Sequence, residues 1–368
     1  MGGEDNAAPP TPLGEIQQRF GITKLWEKDV GDGSDKQYLK LVPVYAEDRI
    51  FVADSEGKVE AIDARSGHVL WKADTDTRIT GGPGVGENLV IVGTGKAEVI
   101  AIAADTGKIL WHSKVSSEVL SPPQPAGNII VVRTIDGKIF GLDSQEGKRL
   151  WTYEQSVPAL TLRGTSSPVI AGNYLIAGFD EGRLAAIELQ TGKLAWDTRI
   201  VIGSGRTELE RMTDIDAEPV IVDDVIYVAT FQGRIAAITL ETGRILWNRE
   251  ISSYAGLCAD DKTIYVTDDD SVIWALDRVT GNSQWKQDKL KSRALTAPAV
   301  SGDMLVVGDM EGYLHWIDKA TGEIAARRQV TKNRIIAAPI SAAATVYAYD
   351  TDGTLAAYTT QQSPPDKK

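Results

Sequence analysis

From Val44 onward the chain alternates apolar and polar residues in short runs such as "RIFVAD" and "LVIVGT", each ended by turn residues. A glycine turn leads to a second run such as "KVEAID", and a turn ending in glycine leads to a third such as "HVLWK". Period-2 alternation between turn residues predicts short β-strands, and no segment holds a persuasive helical period over 12 or more residues. The predicted class is therefore all-β.

The runs repeat. "AIDARSGHVLW" ends at Trp71, "AIAADTGKILW" at Trp111, "GLDSQEGKRLW" at Trp151 and "AIELQTGKLAW" at Trp196. "AITLETGRILW" and "ALDRVTGNSQW" follow at Trp247 and Trp285, and a seventh phrase, "WIDKATGEIAA", has Ala326 in the tryptophan's place. The ends are spaced by 40, 40, 45, 51, 38 and 41 residues, with a Pro-Val pair opening some units (Pro43-Val44, Pro168-Val169, Pro219-Val220). Four antiparallel strands in such a period is one propeller blade. A tryptophan at the same place in each unit reads as packing between blades, not as ligand stacking.

The last unit, "AAPISAAATVYAYDTDGTLAAYTT", ends one strand short near Tyr358. At the other terminus "TKLWEKDV" (Thr23 to Val30) has the setting of a fourth strand with no unit before it. The two fragments complete each other. The expectation is an eight-bladed β-propeller whose N-terminal strand closes the last blade and leaves no open edge. It divides the chain into a flexible segment 1–20, one propeller domain 21–359 and a disordered tail 360–368.

Composition refines the partner class. The 368 residues carry 39 basic and 51 acidic side chains, a net charge of −12, which disfavours nucleic acid or an anionic bilayer surface as the main partner. The single cysteine, Cys258, excludes an internal disulfide or a CxxC site and reads as a small core residue. His68, His112 and His315 fall in different units without metal-ligand spacing and read as exposed or packing residues. "GSG" at Gly203 to Gly205 and "TDDDS" at Thr267 to Ser271 read as turns. The expectation is no catalytic residue, no cofactor and no metal.

The phrase "AIDxxTGkxxW" resembles the repeat of quinoprotein-like eight-bladed propellers over about residues 23–358. "LTLRGTSSPV" (Leu160 to Val169), "GRTELERMTDIDAEPVI" (Gly205 to Ile221) and "GDMEGYLHWID" (Gly308 to Asp318) lie outside the repeat and resemble the BamB family of outer-membrane assembly factors. The resemblance implies a non-catalytic, monomeric periplasmic scaffold that binds the POTRA domains of BamA and assists outer-membrane protein clients. It also implies an outer-membrane lipid anchor on a cysteine absent from this sequence, with signal peptide and lipobox expected to have been removed. A PQQ-dependent dehydrogenase is the rival reading; most of that enzyme class carries a vicinal disulfide that one cysteine cannot form. A peptide-binding chaperone propeller is the third.

The distance from a blade-end tryptophan to the next leading proline is mostly 12 or 13 residues, but it is 17 from Trp151 to Pro168 and 23 from Trp196 to Pro219. Both enlarged links are expected on one face, side by side, and long loops on a rigid scaffold concentrate function. Matched residue by residue, the resemblance implies that Leu160, Leu162 and Arg163 on the first link, with Asp214 and Asp216 on the second, contact BamA. Two leucines and an arginine are chemically suited to an interface anchor. The alternative left open is that Arg163 pairs with Asp214 or Asp216 and ties the links together.

Overall fold

The structure is a computed structural model, and it describes residues 9–31, 33, 39–155, 166–201, 214–215 and 217–362. Eight antiparallel sheets follow one another around a ring, each of four strands in sequence order except the last. Blade 1 comprises Val44–Ala46, Arg49–Ala53, Lys58–Asp63 and Val69–Asp74. Blades 2 to 7 repeat that order, beginning at Ile79, Gln124, Val169, Val220, Gly256 and Ala299. In blade 2 the short strand Lys40–Leu41 adds a parallel fifth strand beside Gly81 and Gly82.

Blade 8 is assembled from both ends of the chain. Ile340–Ala342, Thr345–Tyr349 and Thr354–Gln362 supply three strands, and Phe20–Asp29 supplies the fourth, paired from Phe20 opposite Gln362 to Asp29 opposite Thr354. The closure expected from the sequence is the one observed.

Alternation holds for only part of each blade. The outer strand Val69–Asp74 alternates, whereas Leu89–Thr94 is buried at every position. A middle strand is covered by neighbouring blades on both faces, so both sets of side chains are core and apolar residues dominate the run. Exposure on one face survives only at the rim.

Seven tryptophans join the blades by one repeated contact. The indole Nε1–H of Trp71 donates to the Ala104 carbonyl of the next blade at 2.8 Å, and that of Trp111 donates to Ser144 at 3.0 Å. Trp151, Trp196, Trp247 and Trp285 do the same to Leu189, Leu240, Arg278 and Lys319, and Trp26 closes the ring on Ala64 at 3.0 Å. Each ring lies on the turn glycine of the blade it meets. Gly107 has φ +73°, and a Cβ there would stand 2.6 Å from the Trp71 ring, so both backbone conformation and space require glycine. A β-bulge precedes each of these tryptophans and turns the extra residue outward, which is why Leu25, Leu70, Leu110, Leu150 and Leu246 are about half exposed.

Ala326 marks the one junction without this contact, and topology explains it. The blade that receives it has no turn between third and fourth strands, because the chain is split there, so no glycine surface exists for an indole. Phe20, Ile22, Trp316 and Tyr358 pack around Ala326 instead. Residues ahead of the closing strand run along blade 7: Thr11 bonds Lys291 and Arg293, Leu13 packs on the cluster between blades 6 and 7, and Arg19 pairs with Asp318 at 2.7 Å.

If Trp26 closes the ring as the other tryptophans join blades, Trp26→Ala costs about as much as Trp71→Ala, on the order of 3 kcal/mol, the low end for loss of a large aromatic because both indoles are only partly buried. Thermal or urea unfolding checks this; a Trp26→Ala protein that unfolds like the parent contradicts the closure.

A candidate partner-binding face on blades 3 to 5

The chain reverses at each turn, so the links between blades and the turns between second and third strands share one face. The turns between first and second and between third and fourth strands lie on the other. Leu160, Leu162, Arg163 and Asp216 lie outside the described residues. Asp214 is described, as are the residues where both long links are rooted, and these converge on one turn of blade 4.

In most blades that turn caps itself. Asp54 Oδ1 accepts the N–H groups of Glu56 and Lys58, and Asp268, Asp309 and Asp350 repeat the pattern two and four residues on. Thr94 does the same through its hydroxyl. These short side chains mimic a backbone turn. Blade 4 carries Phe179 at that position and cannot do so. Its Glu181 N–H donates instead to Asp214 Oδ1, 3.2 Å away on the second long link.

Asp214 is buried, and its own carbonyl accepts the Phe231 N–H of blade 5 at 3.0 Å. The next residue, Ile215, is 2% exposed and packs on Gly178, where a Cβ would stand only 2.4 Å from the isoleucine side chain. The end of the second link is thus held by a hydrogen bond on one side and an apolar plug on the other.

The end of the first link is held from below. Arg133, the last residue of the blade 3 strand Ile129–Arg133, is buried, and its Nη1 donates to the Ser166 carbonyl at 3.1 Å and to the Gly178 carbonyl at 2.5 Å. Its guanidinium lies 5.0 Å from the centre of the Phe179 ring. Ser166 and Ser167, at the end of the first link, are fully buried.

Charge is concentrated at the same turn. Burial, with Asp214 and then Glu181 nearby, pushes the Asp180 carboxyl up to about 6, against an opposing pull from Arg133. Glu181 pairs outward with Arg199 at 2.6 Å, and Arg183 pairs with Asp197.

The remaining candidates sit elsewhere. His315, expected to be exposed or packing, is wholly buried in blade 7, with Nε2 3.0 Å from Asp309; burial lowers its pKa. Arg293 completes that internal cluster through Asp309 and Glu311. His112 faces Glu98 at 3.3 Å. Cys258 is half-buried opposite Tyr265 in blade 6, and burial pushes its thiol well up. "TDDDS" forms the second-to-third-strand turn of blade 6, whereas Gly203 to Gly205 lie outside the described residues. Among the described residues no three His, Cys, Asp or Glu side chains gather as a metal-binding group.

Comparison with known proteins decides the family. The profile described as "Outer membrane protein assembly factor BamB" matches residues 23–75, 55–287 and 288–363. The chain belongs to the BamB family. It is 45% identical to BamB of Pseudomonas aeruginosa over 351 residues, covering 95% of this chain and 92% of the relative. It is 48% identical to BamB of Alkalilimnicola ehrlichii over 345 residues, covering 94% and 90%. The crystal structure of BamB from Moraxella catarrhalis superposes with a TM-score of 0.83 at 27% identity, covering 92% of this chain and all (100%) of that one. A europium-containing methanol dehydrogenase aligns with a TM-score of 0.75 at 12% identity, over 92% of this chain and 93% of its own, which shows a shared fold alone.

Two features of this BamB-family face escaped the sequence reading. Arg133 ends an apolar strand where the other blades carry Ala, Gly, Thr or Tyr, a departure that alignment of the repeats would have exposed. Phe179 interrupts the run of Asp and Thr turn caps in the same way. A third link, from Trp26 to Pro43, is also 17 residues long and feeds the extra strand of blade 2.

A carboxyl whose pKa is raised on folding favours the folded state when protonated and opposes it when ionised. Asp180 therefore costs stability as pH rises from about 4 through about 6. Asp180→Asn should raise Tm at pH 8 relative to the parent, with the gain vanishing near pH 4. An equal Tm difference at both pH values contradicts the assignment.

Proposed function

We propose that this chain is a non-catalytic scaffold for outer-membrane protein assembly, binding the POTRA domains of BamA through the link face of blades 3 to 5. It would act on the periplasmic side of the outer membrane, held there by a lipid anchor. The observation that carries the reading is family membership across nearly the whole chain, joined to two enlarged links rooted on one rigid turn. Relatives bear the name of an assembly factor, while the likeness to dehydrogenases is one of fold. No described helix is long and apolar enough to cross a membrane.

The physics of the site favours this use. An interface takes most of its energy from a few desolvated anchors, and leucines with a multi-donor arginine are suitable ones. Loops already fixed at their ends lose less entropy on docking, so more of the contact energy is retained as affinity. On this reading Leu160, Leu162 and Arg163 meet the partner, with Asp216 beside them. Asp214 contributes by fixing the second link through Glu181 and Phe231.

Leu162→Asp and Arg163→Glu are each expected to weaken binding to purified POTRA domains by about 2 kcal/mol or more, on the order of 30-fold, with Tm held near the parent's. Calorimetric titration with parallel melting curves checks both quantities. If both variants remain folded and bind as tightly as the parent, the partner surface lies elsewhere.

A further inference from the structure

We infer that Arg133 is a positioning residue for the partner-binding face: an internal strut that sets the first long link in register with the second without touching the partner. The inference rests on the function proposed above.

At the corresponding position, just before the turn cap of the second strand, blades 2, 4 and 7 carry Gly93, Gly178 and Gly308. Each glycine is covered by an aliphatic residue from the following link: Val119, Ile215 and Ile335. In all three a bulky link residue fills space that a missing side chain leaves open. Blade 3 reverses the arrangement. The strand supplies a long cation, and the link supplies the small Ser166. An aliphatic plug holds a link by area alone and is indifferent to direction. A guanidinium holds it by directed hydrogen bonds, and here Nη1 is shared between Ser166 of the link and Gly178 of blade 4.

Gly178 is the point of convergence. Its carbonyl receives Arg133, its open α-carbon receives Ile215, and three residues on Glu181 receives Asp214. The ends of both links are therefore referred to one five-residue turn, the first through a charged strut and the second through a cap and a plug. Phe179 lies beside the guanidinium and completes its packing. Shifting Arg133 changes where the first link ends relative to the second, and two loops that must engage one partner are sensitive to that offset.

The control is built into the ring. Arg293 is as deeply buried, but it lies on the link from blade 6 to blade 7, pairs with Asp309 and Glu311, and holds the N-terminal segment and not the long links. The experiment compares Arg133→Met, Arg133→Lys and Arg293→Met with the parent, measuring Tm, POTRA binding and amide hydrogen exchange. Arg133→Met should lose tenfold or more in binding and speed exchange at the Glu181 amide, while Arg133→Lys recovers part of both. Arg293→Met should lose comparable Tm with binding unchanged. Arg133→Met and Asp214→Asn should also be strongly non-additive in binding, because both act through one turn.

If Arg133→Met binds like the parent while Leu162→Asp does not, the strut is wrong and the partner face stands. If Arg133→Met speeds exchange at Glu181 and Leu162→Asp leaves binding intact, the strut stands and the face is wrong. Equal binding losses in Arg133→Met and Arg293→Met would reduce Arg133 to a general stability residue and overturn the inference.

Discussion

Everything in this molecule depends on an indole lying on a glycine of the next blade. The contact buries a large aromatic surface, satisfies the indole N–H with a backbone carbonyl, and occurs at seven junctions. Because the acceptor is backbone and the surface is glycine, the contact is insensitive to the other turn residues, and blades of 38 to 51 residues can use it alike. Where the turn is missing, so is the tryptophan. Ala326 is therefore a consequence of ring closure and not a degenerate repeat.

Holding the blades together at the third-to-fourth-strand turns leaves the opposite face unconstrained. Links there can lengthen without disturbing the indole contacts, and two neighbouring ones have done so. Length alone would give a loose surface, however. At blade 4 the local turn has given up its own cap, and a carboxylate from the second link takes that place while an arginine from blade 3 steadies the first. The turn loses autonomy and the links gain a fixed base. The same exchange leaves Asp180 half-buried among like charges, with its carboxyl raised to about 6, so a cost in stability accompanies the fixed geometry.

Much of the fold was legible in the sequence because repetition multiplies a weak signal. One "TGKILW" is a turn and a strand; six of them, with a lone Trp26 and a last unit lacking a strand, define a closed ring. The buried middle strands were less legible, since burial on both faces removes the polar half of the alternation. The site was legible only in part. Link length and family resemblance pointed to the sector of the ring where the ends of both long links converge, but the capping role of Asp214 depends on an absence, the missing cap at Phe179. Arg133 sits 33 residues ahead of the serine it holds, and pairwise contacts at that separation leave no local pattern.

The central claim is that partner binding belongs to the link face of blades 3 to 5 and the opposite face only closes the ring. Amide hydrogen exchange across the whole chain, with and without saturating POTRA domains, tests it most directly. Slowed exchange confined to peptides spanning 156–168, 178–182 and 202–218, with the glycine turns at Gly67, Gly107 and Gly281 unchanged, is the predicted result. Protection centred on those glycine turns, or on blades 7 and 8, would contradict it.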